Sequence, residues 1–592
     1  MTNELVFGID LGTTFSSIAF VRDGKVEVVA HEGETIMPSV VGFDASGALL
    51  VGTPAKNQLA AYPERTLASV KRLMGNTTPI QLGDHTLTPP EVSALILKEL
   101  ARRARIATGQ PVEKVVITVP AFFGDAERQA TKAAGEIAGL EVLRLLHEPT
   151  AASLAFEGDA GGTQRLLAVY DLGGGTFDVS IVATDGKLTE VLASHGDVHL
   201  GGDDFDRVIA EELARQYRSS TGHDPLAERV ALARLLRAAE LGKRRLTEEV
   251  STRIREEFLG TTKNGEPAHL DEELTRARFE ELITPFVERT IDSVHEALRV
   301  AKKSMSDLDD VLLVGGMTRA PIIAARLTAL FGRPPRRDVH PDLCVAQGAA
   351  ILAARLCGQE VGRVLVDVST HSIGPRALGE RHGHLSEHCF APVIPRGTPL
   401  PVTRSESFYT VHDDQEAWDV CVYQGESDDV RENVLIGRFL ADGFTKAKAN
   451  SEIVCKMTLD LDGVLLVEAI QKSTGKKKQL RIEATGLDYS AEHRESARVR
   501  SETLWSRSAS AAAEPAVLEP APRSPAAAVW VPQAQALIAR GAGLLGRMAN
   551  EDRAEFESLA AGISAAIADQ NESAWEEKKA ELENLVHYVE EA

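Results

Sequence analysis

VFGIDLGTTFSSIAFV, residues 6–21, and AVYDLGGGTFDVSIV, residues 168–182, decide how this chain folds. Each is an apolar strand that ends in Asp, turns through Gly and Thr, and re-enters an apolar strand. Gly lets the backbone approach a ligand and aim its N–H groups at oxygen anions; Thr adds a hydroxyl donor, and Asp can hold hydrated Mg2+. A single Asp-x-Gly hairpin often marks only a turn. Two copies of one unit predict two similar lobes facing each other across a cleft. The candidates are Asp10, Gly12, Thr13 and Thr14 in the first copy, and Asp171, Gly173, Gly174, Gly175, Thr176 and Asp178 in the second.

Working outward, residues 1 to about 360 alternate strand-like runs such as VVITVPAFF with helical stretches such as Asp125–Ala138, the pattern of an α/β region. From 363 to about 487, short alternating segments (ESFYTVH, WDVCVYQ, GVLLVEAI) between Gly, Asp and Pro turns predict a β-rich domain. Residues 490–506 read as a charged helix. The stretch 508–532 carries five prolines, too many for a helix, and reads as a semi-extended Pro/Ala linker. Beyond it, Phe556, Leu559, Ile563 and Ile567 share one helical face, as do Trp575, Leu582, Val586 and Val589, which predicts a small helical bundle. A chain of 592 residues has room for three or four such domains.

Composition narrows the function. Lys and Arg number 65 against 87 Asp and Glu, a net charge of −22, which opposes nucleic-acid or anionic-membrane binding through a basic face. Cys344, Cys357, Cys389, Cys421 and Cys455 are odd in number and widely spaced, so they read as reduced thiols. No signal-like N-terminus and no long apolar run is visible, so the sequon at Asn76 is expected to be unmodified and the chain cytoplasmic. There is no G-x-x-x-x-G-K-[ST], H-E-x-x-H or G-x-S-x-G. GAGLLG, residues 541–546, lies in the helical tail with no strand before it and is a decoy for dinucleotide binding.

Two further Gly turns stay ambiguous by themselves. VLLVGGMTRAP places Gly315 and Gly316 after a strand, either as a shelf for an adenosine ring with Arg319 near it or as a strand-to-helix packing turn. HLGGDDFD sets Gly201 and Gly202 before Asp203 and Asp204, the composition of an ordinary helix start.

Taken together, GIDLGTTFSS, VITVPAFFGDAERQATKAAGEIAGLEVLRLLHEPTAASLAF, VYDLGGGTFDVSIV, HLGGDDFD, LTRARFEEL and VLLVGGMTRAP resemble the DnaK-type (seventy-kilodalton heat-shock) chaperones, with the shorter HscC-like bacterial paralogues nearest. The resemblance is dense to residue 357, looser but collinear from 363 to about 487, and faint in the tail. It implies a multidomain α/β, β and α architecture. A two-lobed actin-like ATPase domain would span 1–362, a linker 363–368 and a β-sandwich substrate domain 369–487. A helical lid, interrupted at 508–532, would span 488–592.

The resemblance also implies roles. Lys71, in SVKRLMG, would point at the γ-phosphate and the attacking water, and Glu148 would help position that nucleophile; a Lys on an amphipathic helix is otherwise usually solvated. Asp10, Asp171 and Thr176 would stand with them around the phosphates, and Asp10, Asp171 and Asp178 would serve Mg2+. Gly12, Thr13, Thr14, Phe15, Gly173, Gly174, Gly175, Gly201, Gly202 and Asp203 would line the nucleotide. Adenosine would lie between Glu240, Lys243, Arg244 and Thr247 and Gly315, Gly316, Arg319 and Asp342; by charge alone, KRR is a solvent-facing patch. ATP or ADP, Mg2+ and optionally K+ are the implied cofactors. Pro120 and Arg128 resemble a relay from nucleotide to distant surface, while a turn proline and a solvated Arg fit them equally. Arg144 and Asp367 match residues that meet a J-domain co-chaperone, with His147 standing where Asn is common. VLVDV, 364–368, would be a shortened docking linker, although pattern cannot distinguish it from a plain strand.

Implied partners are unfolded or extended polypeptides, a J-domain protein and optionally a nucleotide exchange factor. Positions matching the peptide groove are Ile373, Pro375, Leu378, Phe408, Val411, Trp418 and Val420, with Leu378 and Val411 arching over the peptide; sandwich core is the alternative for several. Trp418 stands where a small β-branched residue is common, Pro375 removes a backbone donor, and the interrupted lid implies weaker clamping. The short stretch from Gly75 to Pro89 and the ending HYVEEA imply a narrow partner set. The expected function is an ATP-dependent chaperone. An ATP-switched scaffold that has lost peptide binding is the alternative, and a small-molecule kinase on the same scaffold has no use for the β domain.

Overall fold

The computed structural model describes residues 5–508 apart from 77, 157–163, 186, 263, 265, 338, 339, 382, 447, 462 and 483–490, together with scattered positions between 534 and 589. The chain separates into two compact units, residues 1–512 and 513–592.

Both quoted hairpins form, and each organises a sheet. Phe7–Asp10 pairs antiparallel with Phe15–Arg22, placing Asp10 opposite Ser17, and runs parallel to Lys114–Val119. In the second copy Arg165–Leu172 pairs antiparallel with Phe177–Thr184, placing Asp171 opposite Asp178, and runs parallel to Asp310–Val314. Four strands follow the same plan twice: Lys114–Val119, Phe7–Asp10, Phe15–Arg22 and Lys25–Val28 in one sheet, and Asp310–Val314, Arg165–Leu172, Phe177–Thr184 and Leu188–Asp197 in the other. Glu141–His147 extends the first sheet beside Lys114–Val119, with Met37–Pro38 pairing Phe15–Arg22, and Val364–Val366 extends the second beside Leu188–Asp197. Both central hairpins are buried on both faces because helices cover them, with Ser16, Ser17, Asp178 and Ser180 enclosed among the apolar residues. Val6, Val169, Leu312, Ala349 and Ala350 share one core that joins the lobes at their base, beneath the two Gly turns.

The β-rich region is a sandwich of two four-stranded sheets. One runs His384–Phe390, Ile373–Arg381, Trp418–Gln424, Val434–Ala441; the other runs Val402–Tyr409, Glu452–Leu459, Leu465–Gln471, Lys477–Ile482. Period-two alternation sends Val420, Val422, Cys455, Met457, Val467 and Ala469 into its core. The run at 364–366 is itself a strand. It adds parallel to the edge of the second lobe's sheet, Val364 facing Leu188 and Val366 facing Glu190.

The charged helix is Ala491–Trp505, and it packs on the first lobe. Ala497 meets Ala94 and Ile137, Leu504 and Trp505 enter the first lobe's core, and Arg500 reaches Glu91 at 2.7 Å. In the second unit Phe556, Leu559, Ile563 and Leu582 share a small core with Ala534, Leu537 and Leu585. Ile567, Trp575, Val586, the GAGLLG stretch and residues 509–532 of the Pro/Ala stretch lie outside the described residues. No described helix is long and apolar enough to cross a membrane. All five cysteines are free thiols.

Candidate functional site

Four carboxylates converge where the two Gly turns face each other. Asp171, Asp178 and Glu148 are buried and Asp10 is partly buried, and Glu148 acts electrostatically on each of the three aspartates. Burial, with Glu148 next, pushes Asp10 up to about 7, and the same causes hold Asp171 and Asp178 well above the carboxylate range. Lys71 lowers all three and pairs directly with Glu148, their side chains only 3% and 10% exposed. Contrary to the helix expected around Lys71, the residue sits on one 3-10 turn, Val70–Leu73, which turns its ammonium inward. Glu148 opens the helix Glu148–Ala155, whose N-terminal dipole favours its charge. Thr118 Oγ1 donates to Asp10 at 3.1 Å and Phe122 N–H to Asp178 at 3.0 Å, so both side chains are aimed by first-lobe residues.

The turns make a cradle that a larger residue would fill. A Cβ on Gly174 would lie 1.7 Å from Thr14 Oγ1, so glycine is required for the two turns to face each other. Thr14 Oγ1 is itself buried and finds no hydrogen-bond partner among the described residues. Thr13 and Thr176 are buried beside it, and Gly173 N–H donates to Thr176 O at 3.1 Å. Gly202 and Asp203 N–H close the floor by donating to Gly173 O at 3.0 Å and Gly174 O at 2.7 Å. An unpartnered hydroxyl, Gly-lined backbone and excess buried negative charge suit phosphate with a divalent cation. No group of three or more His, Cys, Asp or Glu side chains placed to hold a metal ion by themselves occurs among the described residues.

Polar pairs tie the lobes across the cleft. Lys56 reaches Glu240 at 2.7 Å while its ammonium lies 4.9 Å from the Phe15 ring centroid. Ser69 Oγ donates to Asp203 at 2.6 Å, and Arg72 pairs with Asp204 and donates to Gly175 O at 3.2 Å.

The residues expected around adenosine fall into two groups. Gly315, at φ 83°, takes the left-handed turn that L side chains resist, and its N–H donates to Pro341 O at 3.0 Å. Arg319, half exposed, is held by Asp342 at 2.6 Å, beside Gly316. On the facing helix, Lys243 is buried and donates at 2.8 Å to both Gly202 O and Asp206, correcting the view of KRR as wholly solvent-facing; Arg244 is exposed. Burial pushes Asp206 up to about 6 despite Lys243. Thr247 only donates to Arg244 O, at 2.7 Å.

The candidate relay residues meet at a seam between both lobes and the β domain. Pro120 is buried at the end of its strand. Arg128 lies 2.7 Å from His147 Nε2, and His147 Nδ1 lies 3.1 Å from Asp367 Oδ2. A guanidinium can only donate, so Nε2 is the acceptor in that contact, while Nδ1 faces the carboxylate. Although Asp367 is buried, His147 holds its carboxyl below the usual range. The Arg128 guanidinium also lies against Gly463 of the β domain. Arg144 is buried on the strand Glu141–His147. Arg128 and Asp367 are therefore joined through His147, the residue noted as unusual.

In the sandwich, Ile373 and Val420 are core. Pro375 is also buried; it stands opposite Val422, and its carbonyl accepts from Ala391 N–H at 3.1 Å. Phe408 and Trp418 pack against that core from the rim, ring centroids 5.3 Å apart and planes tilted 38°. Leu378 and Val411 stay exposed, at 42% and 60%.

Sequence reading missed Thr118, Lys56, Ser69 and Arg72. Thr118 was visible as the polar position inside VVITVP; the others carry no local signal, because their partners are far along the chain. It also missed Phe122, His195, His371 and Arg396, which meet at the seam.

A family described as Hsp70 protein matches residues 6–81 and 76–592. The chaperone protein DnaK of Thermotoga neapolitana is 44% identical over 484 residues, 81% of this chain and 80% of that protein. That of Thermosipho africanus is 44% identical over 81% of this chain and 79% of its own length, and that of Thermosipho melanesiensis 42% identical over 81% and 80%.

Proposed function

The chain belongs to the Hsp70 family, and from that premise we propose that Lys71 and Glu148 set the attacking water while Asp10, Asp171, Thr176 and the Gly turns hold the phosphates. The protein is an ATP-dependent molecular chaperone that hydrolyses ATP to ADP and phosphate and binds unfolded polypeptide. The observation that carries the residue assignment is the buried cluster of four carboxylates around one lysine. Phosphoryl transfer needs positioning and charge neutralisation more than covalent chemistry. Lys71, fixed by Glu148, presents a cation where charge builds on the γ-phosphate. Bound Mg2+ supplies the remaining neutralisation, with Asp10, Asp171 and Asp178 as the residues that would hold it. Gly12, Thr13, Thr14, Phe15, Gly201 and Asp203 line the phosphate end. Glu240, Lys243, Arg244, Thr247, Gly315, Gly316, Arg319 and Asp342 bracket the adenosine.

Coupling runs through the seam. ATP closes the lobes, the edge strand Val364–Val366 docks, and Asp367, His147 and Arg128 carry the change to the β domain; hydrolysis releases it and client is trapped. Pro120 ends the strand that aims Thr118, and so stands between cleft and seam. Arg144 and Asp367 are buried, so a J-domain partner reads them through the surface they support rather than by direct contact. Ile373 and Val420 support the peptide groove from the core, with Pro375, Phe408, Trp418, Leu378 and Val411 around it. The helical lid of the family corresponds to residues 488–592. We assign the chain to the HscC-like paralogues on its short Gly75–Pro89 stretch and its departures at His147 and Trp418, with the cytoplasm as its compartment and an exchange factor as a further partner.

The test is fluorescence anisotropy of labelled apolar peptides titrated with the protein in ADP, then in ATP with Lys71→Ala to hold that state. Binding in ADP that weakens in ATP is expected. Equal binding in both would remove the coupling, and no binding by protein shown to bind ATP would remove the peptide assignment.

A further inference from the structure

One phenyl ring joins three parts of the molecule. Phe122 comes from the first lobe, in the turn after Lys114–Val119. His195, on the second lobe's strand Leu188–Asp197, sets its ring centroid 5.0 Å from that of Phe122. His371, between the linker strand and the first β-domain strand, approaches to 4.5 Å. Arg396 of the β domain lies over the same phenyl ring, 5.8 Å from its centroid, and donates to Ser194 O of the second lobe. Two imidazoles and a guanidinium therefore meet on one apolar ring where the domains touch.

We propose that His195 and His371 make docking of the β domain on the ATPase lobes proton-sensitive: the seam holds while both imidazoles are neutral and parts as they take up protons.

The surroundings favour the neutral rings. His371 faces Arg396 and Arg128, together with the imidazoles of His147 and His195, and the Thr370 hydroxyl lies 3.1 Å from its Nδ1. His195 faces Arg396, with Glu296 and Asp197 as the opposing charges, and its Nδ1 is buried without a hydrogen-bond partner among the described residues. Glu296 is shared, lying 2.7 Å from Arg299 and 3.6 Å from Arg396, while Asp197 pairs with Arg289. Glu426, beside Arg396, accepts from Ser372 N–H at 2.8 Å, and Asp367 is taken by His147. These acids are thus already matched to other cations or donors, and a new imidazolium would stand beside Arg396 with little to offset it.

The sign follows from linkage. Burial, then Arg396, pushes His371 down to about 4, and the same two causes lower His195. With the domains apart, each ring regains the ordinary value of about 6.5. The docked state therefore binds fewer protons. Docking has full strength above the ordinary value and loses it as pH falls toward the docked one. His371 alone weakens docking about tenfold at pH 5.5. Acid then acts as hydrolysis does, removing the hold of ATP on the β domain; this consequence rests on the coupling described above, whereas the docking itself is read directly.

The experiment is small-angle X-ray scattering of the full chain with ATP, in the Lys71→Ala background, from pH 7.5 to 5.5. The expected result is a compact particle at pH 7.5 that extends at pH 5.5 with unchanged far-ultraviolet circular dichroism. The His195→Asn/His371→Leu variant should stay compact at both. A parent that stays compact, an equal transition in the variant, or loss of circular dichroism with extension would each overturn the proposal. Should the double variant already be extended at pH 7.5, His371→Leu alone is read: a shallower transition supports the proposal and an unchanged one overturns it. Equal dimensions in ADP and ATP at pH 7.5 would count against the nucleotide coupling and leave the proton claim to the pH series.

Discussion

The nucleotide cleft and the rim of the β sandwich, proposed as the two binding regions, carry their function in opposite ways. The cleft is unsatisfied: buried carboxylates outnumber Lys71, and a threonine hydroxyl is orphaned. Low dielectric makes such an imbalance costly, so it points to the missing charge and to the kind of ligand that supplies it. The sandwich rim is satisfied. Ile373, Val420, Phe408 and Trp418 pack as core residues pack, and only the exposure of Leu378 and Val411 sets the rim apart. An electrostatic site reveals its ligand through frustration; an apolar site resembles the core it grew from.

The sharpest break in this comparison is Lys71→Ala. Single-turnover phosphate release should fall by about 10²–10³-fold with ATP still bound, because a preorganised charge facing the transition state is lost. A change under tenfold would move the catalytic role elsewhere in the cluster. Next comes Trp418→Val. If the indole closes the pocket, peptides centred on Leu should bind about tenfold tighter by anisotropy, while thermal unfolding shifts down as packing against Phe408 is lost. Unchanged affinity would make the pair plain core.

Smaller effects sharpen the picture. Glu240→Gln breaks a half-buried pair to Lys56 across the lobes, so ADP release should quicken about two- to fivefold in stopped flow. Slower release would mean the pair does not hold the cleft shut. Removal of residues 490–592 should leave peptide off-rates within about twofold, because an interrupted lid adds little clamping, whereas a lid contact worth about 1.4 kcal/mol would raise them about tenfold when lost. A large increase would show that the interrupted lid clamps after all.

How much could be read beforehand divides along the same line. Asp10, Asp171, Gly174 and Thr14 lie within contiguous motifs, because a phosphate cradle needs Asp, Gly and Thr within one turn, and sequence reading finds such local chemistry. Resemblance supplied Lys71 and Glu148 but not Lys71's conformation: a helix was expected, and a single 3-10 turn is what buries the ammonium. Lys243 looked like part of a basic surface until Asp206 was seen beside it. VLVDV could be a strand or a linker by pattern, and in the structure its first three residues are an edge strand of the second lobe. Phe122, His195, His371 and Arg396 offered no signal, being ordinary residues in unrelated segments.

The sequence by itself determined the duplicated hairpin, the α/β to β to α order of the chain, and the presence of a phosphate-binding cleft, since each depends on spacing along the backbone. Only the tertiary structure decided which charges are buried together, that Ala491–Trp505 rests on the first lobe, and that two histidines and an arginine share one phenyl ring. Those facts depend on dielectric environment and on contacts between distant segments, neither of which has a period or a motif to be read.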